Sequence, residues 1–550
     1  MSRPSFISID QNTHSLWDTI PKLQALVAQG YQGTHCVEDV DVAFTRRGAE
    51  AGDDTLELAR ERVYRGGTSD WGAALFYTNF LGRNMQDVRQ IEPYTGWSTA
   101  ALARRLGCTV DDLYDRYSPS DNWQLVGASY AEDAQRHRTI GDLRLREVRP
   151  HLLELIDHAQ RDLEKRFPEK DARQRIREWF ADEQATLKDL LEQHADGRLV
   201  ELYASWLQAH VPRLPTRLTS DLFDLDAGDE RQHLLNLFLN RYDDMATLYN
   251  EALEESGSDL NRLQSDAGQL PFFAVRRHHG HLVRTGVKLA DNHLVTDDGQ
   301  QWPLRDGCLP AGGMQRDGVL CLPGKALLLV LQARLGKERP ALALPYLGSL
   351  YMPAAYALQR KLQKRGYLPA DLPPVLRVKF DFIRNWRSCD TAVRPPSHLH
   401  GVFSADELPA SQLAAELDSV LQRARGELDA MSSDDGRKSW QRTFCAEAVQ
   451  ERDAVEARRR ELVQNPETRD QAKPLWEDVK KLDRDILKKT ADHAIRNLHI
   501  LDLQYWNSRG AILPWSIALG GRAFYDKLLA QTRIYAETPD ADMPPTTRLN

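Results

Sequence analysis

Three groups of residues carry side chains that could do chemistry. The first is Arg65-Gly66-Gly67-Thr68-Ser69-Asp70-Trp71-Gly72, ahead of an apolar run from Ala73 to Leu81. Backbone N–H groups at a helix start hold anions well, and Arg65, Thr68 and Ser69 add a charge and two hydroxyls. The plainer reading is a glycine turn in which Ser69 or Asp70 caps the next helix. Asp121, in Ser118-Pro119-Ser120-Asp121-Asn122-Trp123, echoes Asp70, because each aspartate stands shortly before a tryptophan. Such a carboxyl, if buried, can serve as acid or base. Its ordinary work is capping, with the indole as core anchor.

The second group is Arg276, Arg277, His278, His279, His281 and Arg284. His279 and His281 are two apart and face the same way on a strand. His398 and His400 repeat that spacing near Cys389 and Asp390. These are zinc's ligand types. The two pairs lie far apart in the chain, however, and His278-His279-Gly280 suits a hairpin tip. The chemistry assigned is therefore anion binding by Arg276, Arg277 and His281. No metal and no cofactor are assigned.

The third group is Gly348 and Ser349, within Leu344-Pro345-Tyr346-Leu347-Gly348-Ser349. A short strand, a Gly-Ser turn and a helix start make a ligand cradle. Gly312-Gly313 forms a further glycine loop. Gly324-Lys325 is not a P-loop, since Val319 stands where the paired glycine belongs and Ala326 follows the lysine.

The elements that must position these groups are mostly helical. Leu270 to Trp386 is the long exception, where short β-type runs alternate with Gly, Asp and Asn. Asp297-Asp298-Gly299 is a tight-turn signal there. Val375 to Ile383 alternates like a strand, with Arg377, Lys379 and Asp381 on one face. Phe6-Ile7-Ser8-Ile9 reads as a short strand, Leu16 to Gln29 as a helix, and Asp53 to Tyr64 as an acidic helix. Leu143 to Trp206 shows helical apolar stripes with charged outer faces, as antiparallel helices do. Leu475, Val479, Leu482 and Ile486 form a heptad seam, so the two long helices about Asn465-Pro466 read as an antiparallel coiled-coil arm. A last helix is expected to Tyr535, then a mobile tail.

The fold class expected is therefore α+β, predominantly helical: a small central β-rich core flanked by helical bundles and a C-terminal coiled-coil arm. The regions are 1–135, 136–265, 266–405, 406–535 and 536–550. Thr99 to Tyr114 resembles the middle of a helix-turn-helix of DNA-binding regulators. Its second helix opens with Asp111 and Asp112 and continues to Asp115, which would repel phosphates. It reads as a packed helical hairpin instead.

The 550 residues call for more than one domain, and 41% hydrophobic content is enough for packed cores. A net charge of −8 argues against a nonspecific nucleic-acid partner. The longest apolar run, Ala326 to Leu331, is too short to span a bilayer, and the start of the chain has no apolar leader. Six scattered cysteines without Cys-x-x-Cys point to free thiols in the cytoplasm.

The apolar run, the Leu344–Ser349 turn, Tyr351 and the long helical C-terminal part resemble the bacillithiol-synthesis cysteine ligase family, around residues 320–365. The chain lacks the double-glycine turn and the Glu that this family shows there. The resemblance implies an amino acid–amine ligase or a related nucleotide-type core. Two functions follow. One is an intracellular enzyme, ligase- or transferase-like, acting on a small anionic metabolite, with Asp70 or Asp121 as acid or base. The other is a non-catalytic scaffold using its helical arm to bind a partner or form a homodimer.

Overall fold

The computed structural model describes residues 3–9, 16–47, 55–60, 64–65, 68–69, 88–117, 123–129, 137–225, 230–258, 260–347, 349 and 351–539. The protein is α+β, and most of the described residues are helical.

At its centre is a six-stranded sheet. Its strands are β1 (Phe6–Ile9), β2 (Gly33–Val37), β3 (Thr216–Leu218), β4 (Ala341–Pro345), β5 (Val375–Lys379) and β6 (Arg533–Glu537). Their order across the sheet is β6-β5-β4-β1-β2-β3. β1 to β5 run parallel and β6 closes one edge antiparallel. All four residues of β1 are buried, as a strand covered on both faces requires. A Cβ at Gly33 would overlap the Phe6 carbonyl, so only glycine fits that close β1–β2 contact.

Side chains of this sheet alternate between two cores. Phe6, Val37, Ala343 and Val378 join one, with helix α1 (Leu16–Ala28) packed through Ile20, Leu23 and Leu26. Ile7, Ile9, Leu344 and Val375 join the other, with helix α2 (Met352–Lys364) packed through Ala355, Tyr356 and Leu358. α1 leads from β1 to β2, and α2 leads from β4 to β5, in the opposite direction along the sheet. Helices on opposite faces are what two crossovers of the same hand give when they move in opposite directions.

A second, antiparallel sheet has the order 301–303, 293–296, 281–290, 269–278, 319–321. It contains the expected hairpins: His278 pairs with His281, and His279 and Gly280 turn the corner at φ 47° and 87°. His137–Arg138 joins its 281–290 strand. The helices Leu145–Arg166, Lys170–Gln193 and Leu199–His210 bury the stripes read from sequence. Thr99–Leu106 and Val110–Tyr117 form the expected helical pair around Gly107. Helix α3 (Ala446–Gln464) packs along α4 (Ala472–Leu501) as a hairpin, with Val479 and Ile486 buried on α4.

Several expectations are corrected. The β-type runs of 270–386 divide between two sheets, a division the sequence reading did not make: β4 and β5 pair with β1 and β6 rather than with the antiparallel sheet. Thr55–Arg60 is a strand paired to Trp123–Ser129, not part of a helix. Leu56 and Leu58, two apart, pack on the core, and this alternation outweighs the helix-forming glutamates. Arg533–Glu537 is a strand where a helix was expected to continue, since it pairs antiparallel with β5 along its whole length and buries Glu537 against Arg377. The Ala73–Leu81 run and residues 540–550 lie outside the described residues. Among the described residues no helix is long and apolar enough to cross a membrane.

Candidate functional site

β1 and β4 lie side by side while their connections depart in opposite directions, so the sheet reverses its winding between them. In open α/β sheets ligands bind in the crevice outside the carboxyl ends of the strands at such a point. The residues after β4, β5, β2 and β3 line that edge.

After β4 come Tyr346, Leu347 and Ser349. Ser349 adopts φ 60°, a left-handed conformation rare outside glycine, and its carbonyl accepts from Met352 N at 2.9 Å. That bond starts α2, whose first N–H groups are aimed at the edge of the sheet. After β5 comes Asp381, also left-handed at φ 51°. Lys379 Nζ lies 3.3 Å and Arg384 Nη1 3.6 Å from Asp381 Oδ1, and Arg533 of β6 pairs with the other oxygen. Arg384 and Arg387 share Asp418. Four cations thus meet two carboxylates, which leaves a positive edge. Lys379 Nζ is 4.6 Å over the Tyr346 ring, and Tyr346 lies 5.7 Å from Tyr535. Burial, then Tyr535 and Asp381, pushes the Tyr346 hydroxyl up from its ordinary value.

The turn after β2 is acidic. Glu38 is buried, and its Oε1 accepts from Val40 N at 2.8 Å and Asp41 N at 2.9 Å. Burial, with Asp41 and Asp39 adding to it, holds the Glu38 carboxyl well above the carboxylate range. Asp41 pairs with Arg284 at 2.7 Å, and Arg284 lies 4.0 Å over Phe273, a ring it shares with Lys325 at 5.7 Å. Burial and then Arg284 lower the Lys325 ammonium. Asp39 accepts from Ser220 N at 2.8 Å and Ser220 Oγ at 2.5 Å, tying the ends of β2 and β3 together.

Burial pushes the Asp39 carboxyl up to about 6 from an ordinary 3.8. A carboxyl raised in the fold stabilises the protein fully below its unfolded value and loses that contribution as pH rises through the folded one. Stability should therefore fall by about 2–3 kcal/mol between pH 4 and pH 7 on account of this group. Asp39→Asn keeps an acceptor for Ser220 and should flatten that slope. Urea midpoints at several pH values check it, and an unchanged slope refutes it.

The residues singled out from sequence fall on separate elements. Arg276 is buried and pairs with Asp298, pinning the 297–299 turn, with His278 Nδ1 3.4 Å from its Nη1. Arg277 is exposed on the opposite face of the same strand. His281 Nδ1 lies 2.8 Å from Asp142, which also takes Arg138 Nε at 2.5 Å and Leu282 N at 2.8 Å. Burial would raise the Asp142 carboxyl, but the bonds from Arg138, His281 and Leu282 outweigh it and hold the group low. Arg65 pairs in register with Thr68, and Ser69 with Tyr64, in a small ladder against the Val110–Tyr117 helix. Ser349 stands at the carboxyl edge of the parallel sheet. Asp70, Asp121 and Gly348 lie outside the described residues.

Sequence reasoning passed over Tyr346, Arg533, Tyr535 and the Glu38-Asp39-Asp41 turn. The charged alternation of Arg377, Lys379 and Asp381 in an otherwise apolar stretch was the available signal. Among the described residues no group of three His, Cys, Asp or Glu side chains is placed to hold a metal ion. No family model, curated protein or solved structure matches this chain.

Proposed function

We propose that this protein is a cytoplasmic enzyme, of ligase or transferase type, that holds a small anionic metabolite at the carboxyl edge of its parallel sheet. The observation that carries this reading is the winding reversal between β1 and β4, with a left-handed Ser349, the start of α2 and the Lys379–Arg533 cation pair gathered at the ends of β4 and β5. A helix start beside two cations suits a phosphate or carboxylate. The segment resembling the bacillithiol-synthesis cysteine ligase family, 320–365, contains β4, the turn and α2, which supports a ligase-type core. All six cysteines are free thiols, which fits the reducing cytoplasm.

Titration calorimetry with inorganic phosphate and with ADP tests the reading. Lys379→Ala and Arg533→Ala should each weaken binding about tenfold or more, the worth of a charge-assisted hydrogen bond. Equal affinity in wild type and both variants would sink it.

A second reading has its own observation. Trp476 on α4 is 43% exposed and Val463 on α3 is 40% exposed, near the far end of the hairpin. Arg459 and Lys480 flank the indole at 5.0 and 5.3 Å. Here α3 and α4 act as a coiled-coil arm that forms a homodimer or takes a helical partner. Sedimentation should then show Trp476→Ala dissociating a dimer seen in the wild type. A monomer in both removes the homodimer.

A further inference from the structure

Beneath α2, on the sheet face it covers, lies a buried polar group that none of the preceding chemistry uses. Arg377 of β5 donates through Nε to Glu537 of β6 and through Nη1 to the Pro345 carbonyl at 3.1 Å. Pro345 is the last residue of β4, so this guanidinium sits under the turn that carries Ser349. Arg334 donates to the carbonyls of Val330 at 3.0 Å and Pro373 at 2.9 Å, and to Gln359 Oε1 at 2.8 Å. Gln359 and Tyr356 are three apart on α2 and share the face turned to the sheet. Tyr356 is 1% exposed, Arg334 1%, Arg377 2%, Gln359 2% and Glu537 5%.

Two features set this group apart from an ordinary buried ion pair. First, three of its polar atoms make no hydrogen bond among the described residues: Tyr356 Oη, Arg377 Nη2 and Glu537 Oε1. Two can donate and one can only accept. Buried polar atoms of this kind normally find a partner. Second, the charges do not cancel. Glu537 neutralises Arg377, but every hydrogen bond of Arg334 ends on a neutral acceptor, leaving one extra positive charge away from water. Such a charge is costly unless something offsets it.

We infer that this buried polar group binds a small monovalent anion that also carries one hydrogen-bond donor, with hydrogencarbonate as the simplest member of the class. Its oxygens accept from Tyr356 Oη and Arg377 Nη2, its O–H donates to Glu537 Oε1, and its charge offsets Arg334. A single water would complete the hydrogen bonds and leave the charge. A halide would offset the charge and leave Glu537 without a donor. Burial pulls the Arg334 guanidinium down to about 10, with Tyr356 and Glu537 partly restoring it, as expected where a cation wants a counter-charge. The site is independent of the ligand proposed for the crevice.

The test is thermal unfolding of the full chain in sodium hydrogencarbonate against sodium chloride, at equal pH and ionic strength. A saturable rise in midpoint with hydrogencarbonate and none with chloride is expected. Tyr356→Phe removes one donor and leaves the packing, and should weaken half-saturation about tenfold. An equal rise with chloride, an unchanged response in Tyr356→Phe, or no rise at all would overturn the proposal. A crystal grown in hydrogencarbonate gives the second readout: planar three-oxygen density between Tyr356, Arg377 and Glu537 supports it, and a lone spherical peak of water refutes it.

Discussion

Arg377→Met should cost about 3–5 kcal/mol of folding stability, the usual loss when one member of a buried ion pair is removed and the other charge stays behind. Arg377 is 2% exposed and Glu537 5% exposed, and Arg377 is the only cation that meets the Glu537 carboxylate in a salt bridge among the described residues. Without it, Glu537 keeps no hydrogen-bonded cation among the described residues, and the Arg334 charge reaches it only through space. That loosens β6, because Glu537 is the last residue of that strand. Arg377→Met with Glu537→Leu removes both charges and should recover much of the loss, since apolar replacements of a buried pair are often neutral. Urea unfolding of the two single variants and the double variant makes the cycle. A loss under 1 kcal/mol in Arg377→Met, with no recovery in the double, would show that the pair is solvated.

The second large effect is expected at Trp386. Its side chain is fully buried, stacked on Trp515 at 5.8 Å and 10°, and edge-on to Phe382 at 5.6 Å. Trp515 in turn meets Phe167 at 5.2 Å, so this stack joins the segment after β5 to the Ile512–Gln531 helix and to the residue that ends the Leu145–Arg166 helix. Trp386→Ala should cost about 3–5 kcal/mol through lost contacts and the cavity left behind. Trp386→Phe should cost clearly less. The same six-residue turn, Ile383–Ser388, carries Arg384, and it begins two residues after Asp381. Trp386→Ala should therefore also weaken phosphate binding at the crevice, even where the variant remains folded. Denaturant midpoints and calorimetry on one preparation separate the two effects. Full stability in Trp386→Ala would refute the packing argument.

Local periodicity carried the sequence reading as far as local contacts go. The stripe from Leu145 to Trp206 was legible because each helix buries one face at its own period. The 269–303 hairpins were legible because their partners are neighbours in the chain and Gly280, Asp291-Asn292 and Gly299 mark the corners. The parallel sheet was not. β1 was read as a strand, but four residues say nothing of a partner more than three hundred positions away. The candidate site suffered most, because a crevice at a winding reversal is a property of strand order. Lys379 and Asp381 could be seen on one face of a strand, whereas Arg533, which completes the pair, comes from another part of the chain. The Gly-Ser turn after β4 was singled out by its residue types, but the left-handed conformation that Ser349 takes there was not legible.

The order of the sheet has a consequence for how the protein is made. Of the strands of this sheet β1 is made first and sits in the middle, yet its β4 neighbour is translated only from Ala341 onward, and the β5 edge stays bare until Arg533–Glu537 appears. For most of synthesis the growing chain therefore carries a buried-type strand with one side unmatched, a state prone to wrong pairing. Release of a nascent chain stalled before residue 533 should yield aggregates that chaperones hold, and only the finished polypeptide should become resistant to protease.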